Sequence, residues 1–406
     1  MRVAVLGAGI QGACVALELA SAGIHVDLYD MNDQCMTQAS AQNEGKLHLG
    51  YVYGNDRSLG TARTLITGAI TFSPLLRRWF GRDLDTIPVS APFNYVIHTK
   101  SMLGVAEMEN HFRNAHAIAL EESHGTPADY FGADYCMAPT RMPDSACFGL
   151  YDRRSVAAAF KTGEISIDCE VLATLFRARL AADPKIRCFL KTLVLAAKPD
   201  DSVVTITYDV GGDRERARYD HVVNALWDGR LAVDRTAGLE PPRPWLFRIK
   251  HYLRLHAPGS HQTVPSTTMV LGPFGDAVVY GNDTLDLSWY PVGMRGASSM
   301  ISPPDWPRVL DDVTATEVRD GILQGLGAII PSIASLPQSD VETAVVKGGI
   351  IFAWGQTDID DPLSLLHERQ AIGPQSVGRY HTVDTGKLSM APLFGKMVAD
   401  RITQAG

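Results

Sequence analysis

Basic charge is the scarcest resource of this 406-residue chain: 37 Lys and Arg stand against 45 Asp and Glu, a formal net charge of −8. That balance excludes the broad positive field of a nucleic-acid binder, while leaving room for a local anion site. Long apolar runs are also missing. None approaches the ~18 residues that cross a bilayer, and Val345 to Gly355, largely apolar but short and Gly-interrupted, reads as a buried strand. The six cysteines include no CxxC pair and none at metal-ligand spacing with histidine, so no metal and no disulfide framework are expected. A reduced, cytoplasmic setting fits that usage. No signal-peptide pattern is expected, because an apolar strand starts at Met1 itself. Internal repeats and low-complexity tails are absent as well.

What is present begins at once. Met1 to Leu6 reads as a buried strand running into Gly7-Ala8-Gly9-Ile10-Gln11-Gly12. An Ala-rich apolar helix follows to about Ala22, then a second strand, His25 to Asp30, that closes on a carboxylate. This is the dinucleotide-binding βαβ pattern. Gly7 permits the tight turn, Gly9 lets the backbone approach a pyrophosphate, and Gly12 lets helix and strand pack closely. The helix start, with Ile10 and Gln11, offers free N–H groups to phosphate. Asp30 can accept hydrogen bonds from an unphosphorylated ribose.

The length accommodates two domains. The fold class expected is α/β, a discontinuous Rossmann-like domain with a second, antiparallel-sheet (α+β) substrate domain. Residues 1–85, 165–240 and 371–406 are assigned to the first, and 86–164 and 241–370 to the second. Apolar spacing predicts a helix over 58–80, a strand at Phe93 to His98, and a helix from about Met102 to Ala115. Residues 116–163 are expected to be mostly irregular, with a helix at Arg154 to Lys161. A helix over Asp168 to Ala182, strands at 186–190, 192–198, 203–208 and 219–225, and a strand-rich stretch from Phe247 to Tyr290 follow. Helices are expected at Val313 to Leu326 and from Ala391 to about Thr403.

Three segments carry a family resemblance: the Gly7–Gly12 motif with Asp30, the run from Ala39 to Gly50 (ASAQNEGKLHLG), and Asp384 to Asp400 (DTGKLSMAPLFGKMVAD). Together they resemble the D-amino-acid oxidase-like (DAO) superfamily of FAD-dependent oxidoreductases. The resemblance implies FAD as the cofactor. It implies cofactor contacts at Ser40, Asn43, Gly45, Lys46, Leu47 and His48, at Val194 through its backbone near adenine, at Asn224 and Ala225, and at Gly386, Lys387 and Leu388 near the flavin pyrimidine. One departure is plain. Where many members have Asn-Ala-x-Gly, this chain has Asn224-Ala225-Leu226-Trp227, with a Trp in the glycine's place.

The reaction so implied moves a hydride from a carbon bearing an amine or hydroxyl, in a small amino acid, amine or 2-hydroxy acid, to the flavin. His48 is the first candidate base, since imidazole titrates near neutrality. Arg254 and Arg295 are candidate carboxylate anchors, with Tyr290 and Tyr95 as hydrogen-bond partners and Trp289 as a wall. His367-Glu368-Arg369 reads as a solvated loop. A histidyl flavin link through His48 is conceivable, whereas no cysteine follows Cys188 to form one. The acceptor, O₂ or a quinone or other carrier, stays open. So do two other readings, a nicotinamide-dependent dehydrogenase and a non-catalytic nucleotide-binding protein.

Overall fold

The computed structural model describes residues 1–124 and 128–404; residues 125–127, inside the stretch expected to be irregular, and 405–406, at the end of the last segment, lie outside the described residues. Three separate parts of the chain build one parallel sheet. Arg2–Leu6 lies between His25–Tyr29 and His221–Asn224, flanked by Ile186–Phe189 on one side and Tyr380–Asp384 on the other. Gly373–Val377 adds an antiparallel edge. The Gly-rich turn leads into the helix Ile10–Ser21, buried on nearly every face between this sheet and the C-terminal helix Ala391–Gln404. Its Ala and Cys side chains permit that two-sided packing, which long side chains would prevent.

A second sheet, nine-stranded among the described residues, stands against the first. Its central strand, Trp245–His256, pairs antiparallel with Val345–Trp354 along its whole length and with Met294–Ser298 and Thr284–Trp289 on its other edge. We call it the roof strand. The period of two sends Arg248, Lys250, Tyr252 and Arg254 to one face. That face meets the parallel-sheet half: Lys250 pairs with Glu44 at 2.6 Å and Arg254 with Asp168, the N-cap of Cys169–Ala182, at 2.8 Å. Val345–Trp354 adds Lys347 to Glu170 of the same helix. On the sheet's other side the helix Asp312–Gly327 covers Leu253, Leu255, Leu285 and Leu287 with Val318, Ile322 and Leu326.

One expectation needs correction. Arg154 to Lys161 is not helical; Val156–Lys161 is a strand paired antiparallel with Asn94–His98. Its alanines have good helix propensity, but cross-strand burial of Val156, Ala158 and Phe160 outweighs a preference worth only tenths of a kcal/mol per residue. Elsewhere 116–163 holds the end of the helix Val105–Glu122, the short strand Thr140–Arg141 and the helix Asp144–Leu150, and its remaining described residues are irregular. All six cysteines are free thiols.

Candidate active site

Between the two sheets runs a cleft of about 2130 Å³, open mouth included, larger than an ordinary small-molecule pocket. One end is the Gly-rich turn. Gly7 has φ +96°, a conformation L side chains rarely adopt. A Cβ on Gly12 would sit 1.8 Å from the Gly7 carbonyl oxygen, so only glycine lets the helix lie against the turn. The helix Ile10–Ser21 has no side-chain cap and no acid in its first turn. Ile10 donates its N–H to Ser40 Oγ at 2.8 Å. The Gln11 N–H is left toward the cleft, where the helix dipole favours an anion. Asp30 closes its strand beside this turn, its carboxylate accepting from the Ala8 and Asn32 N–H groups at 2.7 and 2.8 Å. The Gln11 side chain is a tie rather than a contact: it donates to the Ala391 carbonyl and accepts from Thr385, fixing the C-terminal loop to the turn.

The cleft gathers most of the residues singled out from sequence. Gly7, Gly9, Ile10, Gln11, Asp30 and Ser40 line the first end. Asn43, Gly45, Lys46 and His48 line the middle with Gly386, Lys387 and Leu388, and Ala225 and Tyr290 complete the wall. Others stand behind it. Leu47 gives its carbonyl to Tyr130. Val194 packs with Leu6 and Tyr29. Asn224 is buried and bonded to Asp234 and Tyr380. Tyr95 is fully buried and reaches the cleft only through Glu164.

The two arginines expected to anchor substrate are corrected here. Arg254 is enclosed by Asp168, Glu170 and Asp286 at 2.8, 3.2 and 3.0 Å, three carboxylates that leave it no free charge. Arg295 is exposed on Met294–Ser298 and faces a surface dent beside Glu317, away from the cleft. The departure at Trp227 also resolves. Its backbone has φ +57°, the left-handed region a glycine would take without cost. The indole is held there by its N–H to the Ile350 carbonyl at 2.8 Å and an edge contact with Phe352.

Part of the wall is ionic. Lys46 reaches Asp276 and Thr268, both at 2.6 Å. Burial works against the Asp276 charge, but Lys46 and Lys250 outweigh it and hold the carboxyl at about 2. His48 is 9% exposed, with Nδ1 3.6 Å from Glu164, a carboxylate with no exposed surface that also takes the Tyr95 hydroxyl and the Leu49 N–H. Burial, and then Lys387, pushes the imidazole down to about 4, so it is neutral at physiological pH. Burial, and then Arg369, lowers the Lys387 amine to about 7.

His367 and Arg369 are not in a solvated loop, as their sequence context implied; both are buried and line the cleft. No sequence signal marks Arg369, whose neighbours are polar. Arg248 and Lys250 were legible in principle, since the alternation that placed Arg254 inside places them on the same face. Glu164 carried no signal, being isolated in a Gly- and Thr-flanked turn.

A sequence model described as FAD dependent oxidoreductase (DAO) matches residues 2–401. No curated protein matches the chain significantly by sequence. Among solved structures, glycine oxidase from Geobacillus kaustophilus is similar in fold, with TM-score 0.68 at 16% identity, covering 99% of this chain and 95% of that one. L-proline dehydrogenase from P. horikoshii gives 0.67 at 14%, over 100% and 93%. Iminodiacetate oxidase from Chelativorans sp. BNC1 gives 0.65 at 14%, over 99% and 95%.

Proposed function

The chain belongs to the FAD dependent oxidoreductase (DAO) family, and from that premise we propose that it oxidises a small substrate at a carbon bearing an amine or a hydroxyl. The residues present fit FAD. The glycine turn leaves a cradle that a Cβ would fill, and the adjoining helix start is uncapped. Thr37 Oγ1 and the Tyr252 hydroxyl, both bordering the cleft, are buried without a hydrogen-bond partner, as expected of groups awaiting a polar ligand. When bound, FAD supplies the two-electron acceptor for the C–H bond.

The protein's own share is positioning and proton handling. In this reading segments 1–85, 165–240 and 371–406 hold the cofactor, and 86–164 and 241–370 form the substrate side. His48 accepts the heteroatom proton at Nε2, and the Glu164 carboxylate 3.6 Å from Nδ1 favours the charge that develops on the ring. Lys46 and Tyr290 border the same space, and the roof strand excludes water from above. The observation that carries the proposal is the placement of a neutral, carboxylate-backed histidine in the same cleft as the glycine cradle.

The test is an absorbance spectrum of the purified protein before and after acid precipitation, followed by anaerobic titration. Released flavin bands, bleached by an amino acid or a 2-hydroxy acid, are the expected result. Bands retained in the pellet would mean a covalent link and point to His48. A protein with no flavin after reconstitution with FAD would refute the proposal. Amino acids come first, because the fold neighbours are named for glycine, L-proline and iminodiacetate. Reoxidation by air against a soluble quinone then separates O₂ from a carrier.

A further inference from the structure

Five cations border the cleft, and they are unequally matched. Lys46 and Lys250 each meet a carboxylate at 2.6 Å. Arg369 and Lys387 meet none within ion-pair distance among the described residues. Arg369 is 8% exposed, its Nε has no partner, and its guanidinium otherwise reaches only the Phe352 carbonyl. Arg248 is 2% exposed, its Nε is likewise unpartnered, and its one carboxylate, Asp358, sits at 2.5 Å with 35% of its own side chain in solvent. Asp358 belongs to the irregular segment between Trp354 and Gly373, not to a sheet. Arg369 bonds the carbonyl of Phe352, and Ile351 beside it pairs across the sheet with Arg248, so the two guanidiniums are neighbours; Lys387 lines the same cleft.

Three cations with one half-exposed internal carboxylate, in the wall of a cleft, are an unfavourable arrangement unless an anion completes it. None of the three is a hydrogen-bond partner of the Gly7–Gly12 turn, where the residues fit the cofactor's pyrophosphate. A single carboxylate engages one guanidinium bidentately and leaves a second cation unmatched. We propose that Arg248, Arg369 and Lys387 form a subsite for a small dianion carried by the substrate, two carboxylates or a phosphate, with Asp358 holding Arg248 until that dianion displaces it. The inference rests on the oxidoreductase reading above and narrows its substrate class.

The experiment uses the FAD-loaded protein at constant ionic strength and follows the flavin absorbance as malonate, phosphate or acetate is added. Malonate or phosphate should bind about tenfold or more tightly than acetate, the size of a charge-assisted hydrogen-bond contribution. Which of the two wins identifies a dicarboxylate or a phosphate. Arg369→Met should remove the preference. Asp358→Asn, which frees Arg248, should tighten dianion binding severalfold, a gain that damaged folding would not produce. Acetate binding as tightly as both dianions, or a preference intact in Arg369→Met, would overturn the subsite. Weaker dianion binding in Asp358→Asn would overturn the displacement. Reduction by donors separates the two levels. A protein that prefers dianions but is bleached by no donor refutes the oxidoreductase reading alone, and one bleached as readily by uncharged or monoanionic donors refutes the subsite alone.

Discussion

Replacing Lys387 by methionine should make the flavin-free protein more stable at neutral pH, although it deletes a side chain from the middle of the site. Burial, then the neighbouring Arg369, carries the amine from its ordinary 10.5 to about 7. At about 1.4 kcal/mol per pH unit that displacement has an upper bound of roughly 5 kcal/mol. The side chain keeps some contact with solvent, so ~1–3 kcal/mol is the working figure after screening. The unfolded chain holds this proton up to pH 10.5 and the folded protein only up to about 7. Between those values the unfolded state binds more protons, so stability rises with pH; below 7 the penalty is complete. Methionine keeps the volume and removes the charge. With ~2.1 cal/mol/K per residue of melting entropy over 406 residues, ~2 kcal/mol corresponds to a midpoint shift of ~2 °C. Thermal midpoints of the two proteins at pH 6.5, 8 and 9.5 test this, with the gap shrinking as pH rises. A variant less stable than its parent at pH 6.5, or a gap indifferent to pH, would show that Lys387 carries no desolvation penalty.

Gly12→Ala places a Cβ on backbone atoms that have no rotamer to yield. It should cost ~3 kcal/mol or more and purify with little FAD, and full flavin occupancy at an unchanged midpoint would contradict the packing described. His48→Asn should slow anaerobic flavin reduction by roughly 10²–10⁴ at unchanged flavin content, read by stopped flow. Because His48 is held near 4, the parent's kcat/KM should show no His48 inflection near 6.5; an inflection there that vanishes in the variant would place the imidazole in a wetter environment. Trp227→Gly and Trp227→Ala lose the same indole, but only glycine relieves the positive φ. The Gly variant should therefore be about 1 kcal/mol more stable than the Ala variant, and equal denaturation midpoints would show the strain to be absent.

The parts of this protein legible in its sequence are those where a local chemical need leaves few choices. The Gly7–Gly12 turn demands glycine through contacts within one βαβ unit, and the helix and strands around it follow from apolar spacing alone. Gly386 and Lys387 could be placed because they travel with a recognisable motif. The ionic part of the cleft was less legible because its members come from distant segments and acquire meaning only in each other's company. Arg254 and Arg369 look equally polar in the sequence; one meets three carboxylates, from a neighbouring strand and from a helix and its N-cap, while the other meets none among the described residues. Local composition does not distinguish them; tertiary pairing encloses Arg254 in carboxylates and leaves Arg369 buried in the cleft wall.

The row of side chains on one face of the roof strand has a consequence for how the protein moves. Lys250 and Arg254, with Lys347 on the neighbouring strand, are fastened at successive levels to Glu44, Asp168 and Glu170. Swinging the two halves apart would break several buried ion pairs together, each leaving a bare charge at a cost of ~3–5 kcal/mol. A jaw-like opening on every turnover is therefore too expensive to be the route by which small molecules come and go. The irregular segment from Gly355 to Ile372 carries one ion pair among the described residues, Asp358 to Arg248, so displacing the Asp358 stretch costs less than parting the two halves. The ion-pair row works as a lock between the two halves, and the Asp358 strap is the part of the wall held most lightly.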